Sequence, residues 1–313
     1  MAGQILDGRA YARELLDAVA RRVAALDGPA GIATLLIGGD EASAIYQRRI
    51  DAGAREVGLA SRVEQMPADA AFEDVAARIA EVDADPEITG ILVLRPVPAH
   101  LPEERILQLI PPHKDVEAQH PENAGLLALG TPRFVPSTPA AAFLILDRHL
   151  HDQGRDPATA YDGIDVVVVG RSTNVGKPAA ILALARNATV VSADVYASRA
   201  GRLAEHTLLG DVLIVAAGVP HLITADLVRP GAIVVDIGIN VVDDGRGGRR
   251  ITGDVDFDGV IEVASAVSPV PGGVGPVTDA WVLHNTALSA ERAAGIERPA
   301  DARALLDTLP KPV

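Results

Sequence analysis

The chain has 313 residues, of which 48% are hydrophobic, and a formal net charge of −14. Its length fits two domains of ordinary size better than one. The acidic balance repels phosphate backbones, and four Phe, four Tyr and one Trp cannot form an aromatic and basic binding surface, so no nucleic acid partner is expected. No apolar run approaches the roughly 18 residues that cross a bilayer, and no secretory signal is visible, so we expect a cytoplasmic protein without a membrane partner.

Cysteine and histidine usage bounds the chemistry further. The chain has no cysteine, which excludes disulfides, thiolate metal sites and cysteine nucleophiles. Its eight histidines are scattered, with only His149 and His151 close together. This spacing does not match a zinc motif such as HExxH, and we predict no metal site.

The first half of the chain alternates helical and strand patterns. Apolar residues at helical spacing predict a helix over 8–26, and the continuous apolar run GIATLLIGG after it is typical of a strand buried on both faces of a parallel sheet. Alternation of this kind predicts right-handed βαβ crossovers. The further predicted elements are helix 41–58, strand 61–65, helix 71–83 and strand 89–94.

A second α/β region follows. The run AAAFLILDRHL predicts a helix crossing between domains, and the polar stretch HDQGRDPATAYDG predicts a linker, so we place a boundary near 147–160. The tail from Arg298 is predicted to be a mobile terminus. The elements predicted between them are strands 164–170, 188–194, 211–218 and 232–238, a helix at 176–187 and a final helix at about 278–293.

A glycine loop joins the first strand and helix of this second region. Gly170, directly after the strand, permits a tight turn, and Gly176 permits a pyrophosphate to approach amide groups at the helix N-terminus. The spacing GRSTNVG differs from GxGxxG, so the pattern alone is equally compatible with a structural turn. Asp194 ends the next strand, where a carboxylate usually receives the ribose hydroxyls of NAD, although a solvated loop acid is the alternative.

Short motifs are spread along almost the whole chain. They are IGGDEASAIY (37–46), GILVLRPVP (90–98), KDVE (114–117), PSTP (136–139), VGRSTNVGKP (169–178), GAIVVDIGIN (231–240) and PVPGGVGP (269–276). In this order they resemble the bifunctional methylenetetrahydrofolate dehydrogenase/cyclohydrolases.

The resemblance implies an α/β fold of two domains with a cleft between them. The N-terminal α/β domain would bind the substrate, and a Rossmann-like, doubly wound domain would bind the dinucleotide. Because the final helix of that family packs back on the N-terminal domain, the expected limits are 1–147 plus 278–313 for the substrate domain and 148–277 for the cofactor domain. A homodimer is implied by the resemblance alone.

The cofactor residues follow by resemblance. In NADP-using relatives a His-Ser pair follows this strand and its Ser binds the 2′-phosphate, whereas this chain has Asp194 and Val195. Arg171 favours the phosphate, since its equivalent contacts it in those relatives, but that arginine also occurs in members of the family that use NAD. We therefore expect NAD, with NADP as the alternative. The expected cofactor-binding residues are Gly170, Arg171, Ser172, Val175, Gly176 and Pro178 in the loop, Asp194, Ala217, Gly218, Gly238 and Ile239 at strand ends, and Thr278, a possible helix N-cap.

The substrate site departs from the resembled pattern. Tyr46 matches the tyrosine of that family, but the positions of its catalytic lysine, its glutamine and its pterin-binding aspartate hold Ile50, Leu94 and Glu117. The first two replacements remove a cation and an amide that handle protons and water. Glu117 keeps a carboxylate on a longer side chain. Pro271, Gly272 and Gly273 retain the loop that touches folate and cofactor in the family.

These residues favour NAD(P)-linked oxidation of a folate-borne methylene group to methenyl, with the cyclohydrolase step lost. Hydride transfer depends on positioning more than on proton relays, so it can outlast the lysine. One alternative is the same chemistry on a cyclic amine or iminium other than folate, which the apolar Ile50 and Leu94 would suit. Another is a nucleotide-binding paralogue without turnover. Arg48 or Arg49 could have taken over the role of the lysine, although both are expected on the helix surface.

Overall fold

The computed structural model describes residues 2–156, 158–243 and 248–300. Within them, residues 13–137 and 279–300 form one compact unit, here called the three-stranded unit, and residues 2–12 and 138–278 form another, the six-stranded unit. Compact packing does not by itself define a domain, so the limits expected above remain a prediction. Most of the tail expected to be mobile, 301–313, lies outside the described residues.

The helices and strands are these, in chain order. The first half contains β1 (Gln4–Ile5), α1 (Gly8–Ala24), β2 (Gly31–Ile37), α2 (Glu41–Glu56), β3 (Ala60–Met66), α3 (Phe72–Asp83), β4 (Gly90–Val93), α4 (Glu103–Leu107), α5 (Pro121–Ala128) and α6 (Ser137–Asp152). The second contains β5 (Asp165–Val169), α7 (Gly176–Leu184), β6 (Thr189–Ala193), α8 (Val195–Arg199), α9 (Leu203–Thr207), β7 (Val212–Val215), β8 (Ile233–Asp236), β9 (Asn240–Asp243), β10 (Arg249–Thr252), α10 (Phe257–Val260), β11 (Ala266–Val267) and α11 (Val274–Ala293).

The three-stranded unit is built on β2, which pairs in parallel with β3 on one side and β4 on the other. Every residue of β2 is buried, as the uninterrupted apolar run predicts for a central strand. Asp40 caps α2 by accepting the N–H of Ser43 at 2.7 Å. The cap sets where α2 starts, immediately after the strand, and so places the first residues of the candidate site.

The six-stranded unit is a parallel sheet with the strand order β1, β11, β8, β7, β5, β6. Its central strands β5, β7 and β8 are valine- and isoleucine-rich and almost wholly buried. The chain order reverses direction at β5, with β6 on one side and β7 on the other. Open parallel sheets bind ligands beyond the carboxyl ends of their strands at such a point.

The predicted α/β architecture is confirmed, and the predicted strands lie within a few residues of the observed ones. One local prediction is wrong: Thr278 is not a helix N-cap. Helix α11 begins four residues earlier, at Val274, and the Thr278 hydroxyl donates to the Val274 carbonyl oxygen at 3.2 Å. The helix begins directly after the loop glycines, so Thr278 lies in its second turn. A threonine hydroxyl in a helix commonly donates to the carbonyl oxygen four residues earlier. Among the described residues, no helix is long and apolar enough to span a membrane.

Candidate active site

Helix α2 carries the first two candidate residues one turn apart. Its buried face contains Ser43, Gln47 and Ile50, and the Gln47 amide fastens the helix to the sheet by donating to the Thr34 carbonyl oxygen at 3.2 Å and the Thr34 hydroxyl at 3.1 Å. Ile50 is fully buried. Tyr46 is half-buried. The position where the resemblance expects a lysine is therefore an apolar core position of this helix.

Leu94 follows β4 and continues its pairing, since its N–H donates to the Leu35 carbonyl oxygen at 2.9 Å. Its side chain is buried. The next residue, Arg95, forms an ion pair with Glu103, so the guanidinium already has a carboxylate partner within the protein. The position where the resemblance expects a glutamine thus offers no donor or acceptor from its side chain.

Within the described part of the chain, Ser137 holds Glu117 by two hydrogen bonds. The backbone N–H of Ser137 donates to Oε2 at 3.0 Å and the Ser137 hydroxyl donates to Oε1 at 2.6 Å. Burial raises the pKa of the Glu117 carboxyl to about 6, while the two bonds from Ser137 act in the opposite direction. A carboxylate has about four acceptor sites, so both oxygens can still accept a hydrogen bond from a ligand.

Tyr46 lies near charged side chains whose proximity could not be predicted from the sequence. The Arg49 guanidinium carbon is 5.6 Å from the centre of the Tyr46 ring, and Arg49 pairs with Asp279, from Nε to Oδ2 at 3.0 Å and from Nη2 to Oδ1 at 3.2 Å. Burial raises the pKa of Tyr46 well above its usual range, and the charges of Glu117 and Asp279 add to the rise. Arg49 and hydrogen bonding with Ser137 oppose it.

The loop Pro271–Gly272–Gly273 lies in the six-stranded unit. Gly272 has a φ of +113°, which favours glycine. A Cβ on Gly273 would lie 2.6 Å from the Pro269 carbonyl oxygen, an oxygen that accepts the Gly273 N–H at 2.7 Å. Both glycines are therefore required by the backbone path itself, which explains the motif without a ligand and is compatible with one.

The glycine loop between β5 and α7 packs closely on backbone atoms. A Cβ on Gly170 would lie 2.0 Å from the Ala216 carbonyl oxygen, and one on Gly176 would lie 2.1 Å from the Gly170 carbonyl oxygen. The Ser172 hydroxyl accepts the N–H groups of Val175 and Gly176 at 3.2 and 3.3 Å. The loop is thus compact and leads into the N-terminus of α7, where the Lys177 N–H also bonds within the loop, to the Ser172 carbonyl oxygen at 3.0 Å. Pro178 is buried in the first turn of α7, where its missing N–H is tolerated.

Asp194 is a helix cap rather than a solvated loop acid. Its Oδ1 accepts the N–H groups of Tyr196 and Ala197 at 3.0 and 3.3 Å, which starts α8. Its Oδ2 lies 3.2 Å from Nη1 of Arg171, whose Nη2 donates to the Ser192 carbonyl oxygen at 3.1 Å. Two expected cofactor residues, one acidic and one basic, therefore neutralise each other at the end of β6.

Asp254 ties together the loops at the ends of β7 and β8. Its Oδ2 accepts the N–H groups of Ala217 and Gly218 at 2.6 and 2.8 Å, and its Oδ1 accepts the Asn240 side-chain amide at 2.8 Å. The carboxylate is fully buried. Sequence reasoning missed this residue, although an acid in the mixed segment TGDVDF next to a glycine was a usable signal.

Asp236 supports the same region from the end of β8. Its Oδ1 accepts the N–H groups of Gly238 and Asp254 at 2.9 and 3.1 Å, and its Oδ2 accepts that of Val255 at 3.0 Å. Burial raises the pKa of Asp236 to about 7 in spite of these bonds. Ile239, after Gly238, is 64% exposed. The two expected nicotinamide loops are thus fixed by buried carboxylates that leave Ile239 free to contact a ligand.

Two family models match the chain. The tetrahydrofolate dehydrogenase/cyclohydrolase catalytic domain matches residues 6–117, and the NAD(P)-binding domain of the same family matches residues 136–294. The bifunctional protein FolD 3 of Rubrobacter xylanophilus is 50% identical over 311 residues, which cover 98% of this chain and 97% of that protein.

Solved structures agree with these matches. The bifunctional methylenetetrahydrofolate dehydrogenase/cyclohydrolase FolD of Campylobacter jejuni is 34% identical with a TM-score of 0.85, over 93% of this chain and all of that one. The Trypanosoma brucei methylenetetrahydrofolate dehydrogenase-cyclohydrolase, solved with NADP and an inhibitor, is 30% identical with a TM-score of 0.87, over 94% of this chain and 99% of that one.

Proposed function

Because the chain belongs to the tetrahydrofolate dehydrogenase/cyclohydrolase family and carries its NAD(P)-binding domain, we propose that it oxidises a folate-borne methylene group to methenyl and does not hydrolyse the product efficiently. A bound NAD(P) would supply the hydride acceptor, so that oxidation of methylenetetrahydrofolate to methenyltetrahydrofolate would be balanced by reduction of the cofactor.

The glycine loop between β5 and α7 supports cofactor binding. Any side chain at Gly170 or Gly176 would clash with backbone atoms, so the two glycines permit the tight path of the loop, and the Ser172 hydroxyl holds that path by accepting the N–H groups of Val175 and Gly176. We assign the pyrophosphate to this loop and the nicotinamide to the loops of Ala217, Gly218, Gly238 and Ile239. Thr278 is not a helix cap, but the resemblance still assigns it to the cofactor site.

Glu117 and Tyr46 support folate recognition. The Glu117 carboxylate is oriented by Ser137 and retains acceptor capacity, which suits the amino and N–H donors of a 2-aminopyrimidine edge. By the resemblance, Tyr46 is assigned to the substrate, and Pro271, Gly272 and Gly273 are also assigned to it. The substrate class proposed is therefore a reduced folate.

The observation that carries the loss of hydrolysis is the burial of two apolar side chains, Ile50 fully and Leu94 almost fully. Hydrolysis of a methenyl bridge requires a water to be oriented and deprotonated. Neither side chain can donate or accept a proton. Removal of a hydride requires no proton transfer, so the dehydrogenase step keeps what it needs.

Asp194 supports a preference for NAD over NADP. The negative charge of the Asp194 carboxylate would repel the 2′-phosphate of NADP, whereas the carboxylate can accept hydrogen bonds from the ribose hydroxyls of NAD. Arg171, the group that could receive the phosphate, is engaged by that carboxylate.

Assembly as a homodimer is supported by the resemblance only, and sedimentation of the purified chain would test it.

The test is an absorbance assay with methylenetetrahydrofolate and either cofactor, in which reduced nicotinamide is followed directly and methenyl product is measured after acid quench. Methenyl product that accumulates with NAD, while a bifunctional relative assayed in parallel carries it on to formyltetrahydrofolate, would support the proposal. Rapid conversion to formyltetrahydrofolate would contradict the loss of hydrolysis.

A second outcome bears on the substrate class. If calorimetry shows nucleotide binding but neither turnover nor binding of any tetrahydrofolate, the folate assignment fails. The apolar pair Ile50 and Leu94 would then favour a cyclic amine or iminium as the substrate.

A further inference from the structure

Arg49 and Asp279 form an ion pair next to Tyr46 that links two helices of the three-stranded unit. The two residues are 230 positions apart in the chain, and both carboxylate oxygens of Asp279 are engaged, Oδ2 by Nε at 3.0 Å and Oδ1 by Nη2 at 3.2 Å. The guanidinium also lies over the Tyr46 ring, 5.6 Å from its centre. Such a fork fixes the plane of the guanidinium as well as its position.

This arrangement differs from the other ion pairs on helix α2. Arg55 pairs with Asp51 within the helix, and Arg13 pairs with Glu56 on the surface. The Arg49 and Asp279 side chains are 54% and 23% exposed, close to the 70% and 22% of Arg55 and Asp51, so the feature that distinguishes the first pair is its contact with the Tyr46 ring. Burial raises the pKa of the Asp279 carboxyl to about 6 even though Arg49 acts to lower it. The pair is therefore partly desolvated and lies against a residue of the candidate site.

In this chain the cation next to Tyr46 is Arg49. The resemblance gives the tyrosine a lysine partner one turn along α2, at the position that Ile50 occupies within the core. Arg49 is adjacent to Ile50 and brings a cation to 5.6 Å from the centre of the Tyr46 ring, while Ser137 hydrogen-bonds with Tyr46 and the charge of Glu117 acts on it. An aromatic ring with a cation at its face is held by the attraction of its quadrupole.

We propose that Arg49 and Asp279 are positioning residues for Tyr46: their ion pair holds the phenol in place to contact the substrate together with Glu117, in the absence of the lysine. The assignment rests on the proposed function for the identity of the substrate, a reduced folate. The positioning of Tyr46 itself depends only on contacts within the three-stranded unit.

The experiment compares Arg49→Ala, Arg49→Lys and Asp279→Asn with Arg55→Ala, which removes a neighbouring ion pair from the same helix. The chain has four tyrosines, so carbon-13 labelling of their rings gives few signals, and Tyr46→Phe identifies that of Tyr46. Trp281, the one tryptophan of the chain, is fully buried two residues after Asp279, and its emission reports whether each variant keeps its core.

We expect Arg49→Ala and Asp279→Asn to shift the Tyr46 signal and to raise KM for methylenetetrahydrofolate about five- to tenfold, in line with the loss of one cation–π contact or one partly buried pair. The fall in kcat should be smaller, because binding is what the pair supports. Arg49→Lys should recover part of the KM, since a cation remains near the ring. Arg55→Ala should leave both readouts unchanged.

Two results would overturn the assignment. One is an unshifted Tyr46 signal in both Arg49→Ala and Asp279→Asn; the other is a KM that does not change although the signal shifts. Failure of the proposed function gives a different pattern, in which the Tyr46 signal responds to both variants but the unmodified protein binds no tetrahydrofolate. In that case the positioning of Tyr46 stands and the substrate does not.

Discussion

Ser137 donates two hydrogen bonds to Glu117, one to each carboxylate oxygen, from its backbone N–H at 3.0 Å and its hydroxyl at 2.6 Å. One residue therefore sets the orientation of the carboxylate and also limits how far its pKa rises. Ser137 belongs to the PSTP motif that carries part of the family resemblance, but its role as the partner of Glu117 is visible only when the chain is folded.

The pH dependence of catalysis is expected to follow Glu117. Because burial raises the pKa of its carboxyl to about 6, kcat/KM for the folate substrate should fall as the pH drops below about 6, where the carboxylate that accepts the pterin donors becomes protonated. Ser137→Ala removes a hydrogen bond that lowers this pKa, so the inflection should move to higher pH. Rate profiles measured between pH 5 and 9 check both.

Glu117→Gln is the control for that profile. It keeps the size of the side chain and removes its ionisation, so the inflection near pH 6 should vanish and folate affinity should fall about tenfold or more, as expected for a lost charge-assisted hydrogen bond. Nucleotide affinity should stay constant. An inflection that survives in Glu117→Gln would assign the titration to another group.

Restoring polar groups at Ile50 and Leu94 should restore hydrolysis. Ile50→Lys combined with Leu94→Gln is expected to convert methenyltetrahydrofolate to formyltetrahydrofolate measurably faster than the unmodified protein, because a proton donor and a water-orienting amide return. The lysine would occupy a fully buried position, and should lower the free energy of unfolding by about 2–4 kcal/mol. Decay of methenyl absorbance and thermal melting are the measurements.

Ile50→Met with Leu94→Met separates chemistry from packing in that experiment. Both changes keep the site apolar at similar volume, so stability should change by less than about 1.5 kcal/mol. Hydrolysis should remain at the starting level. A gain of hydrolysis in this variant would show that loosened packing, rather than the proton donor, limits the reaction.

Asp194→Asn should shift the cofactor preference towards NADP. The amide oxygen can still accept the N–H groups that cap α8, while the charge that repels a 2′-phosphate is lost and Arg171 is released. We expect the ratio of kcat/KM for NADP over NAD to rise about tenfold or more, since an ionic contact of this kind contributes roughly 1–2 kcal/mol. If the ratio does not change, Asp194 does not lie at the ribose.

Gly176→Ala should abolish nucleotide binding. The new Cβ would lie 2.1 Å from the Gly170 carbonyl oxygen, so the loop must move, at a cost of about 1–3 kcal/mol in stability. Gly154→Ala is the matched control, because Gly154 has a φ of +79° but open space around it. It should cost about 1 kcal/mol through backbone strain and leave nucleotide affinity, measured by calorimetry, unchanged.

Asp236 should make stability depend on pH in a defined direction. Its pKa is raised from 3.8 to about 7 on folding, so the folded protein binds this proton more tightly than the unfolded chain. The resulting stabilisation is complete below about pH 4 and is lost as the pH rises through 7. Denaturant unfolding of the unmodified protein relative to Asp236→Asn should therefore show a difference that declines between pH 4 and 8, and a rising difference would contradict the assignment.

The sequence predicted those parts of the fold that depend on local pattern. The buried strands β2, β5, β7 and β8 were found because an uninterrupted apolar run indicates burial on both faces. The short strands β1 and β11 were missed: each is two residues long, and they pair with each other across most of the chain. A pattern so short has no period, so only the folded sheet reveals it.

The candidate site divides in the same way. Glycine positions such as Gly170 and Gly176 could be predicted because the backbone path demands them. The role of Asp279 could not be predicted, because it depends on a contact with Arg49, which lies 230 residues earlier in the chain. An acidic residue in the first turns of a helix does not by itself indicate such a partner. Thr278 illustrates an error of the other kind. Threonine is a suitable N-cap residue, so the sequence predicts a cap there, but helix α11 begins four residues earlier, at Val274.

Asp254 has a consequence for any attempt to redesign this protein. One carboxylate accepts hydrogen bonds from Ala217, Gly218 and Asn240, so it couples the positions of the segments that follow β7 and β8. A substitution in one loop will be transmitted to the other, so the two cannot be exchanged one at a time with those of a relative. Transplanted together with Asp254, they should carry their geometry into a new host as one module.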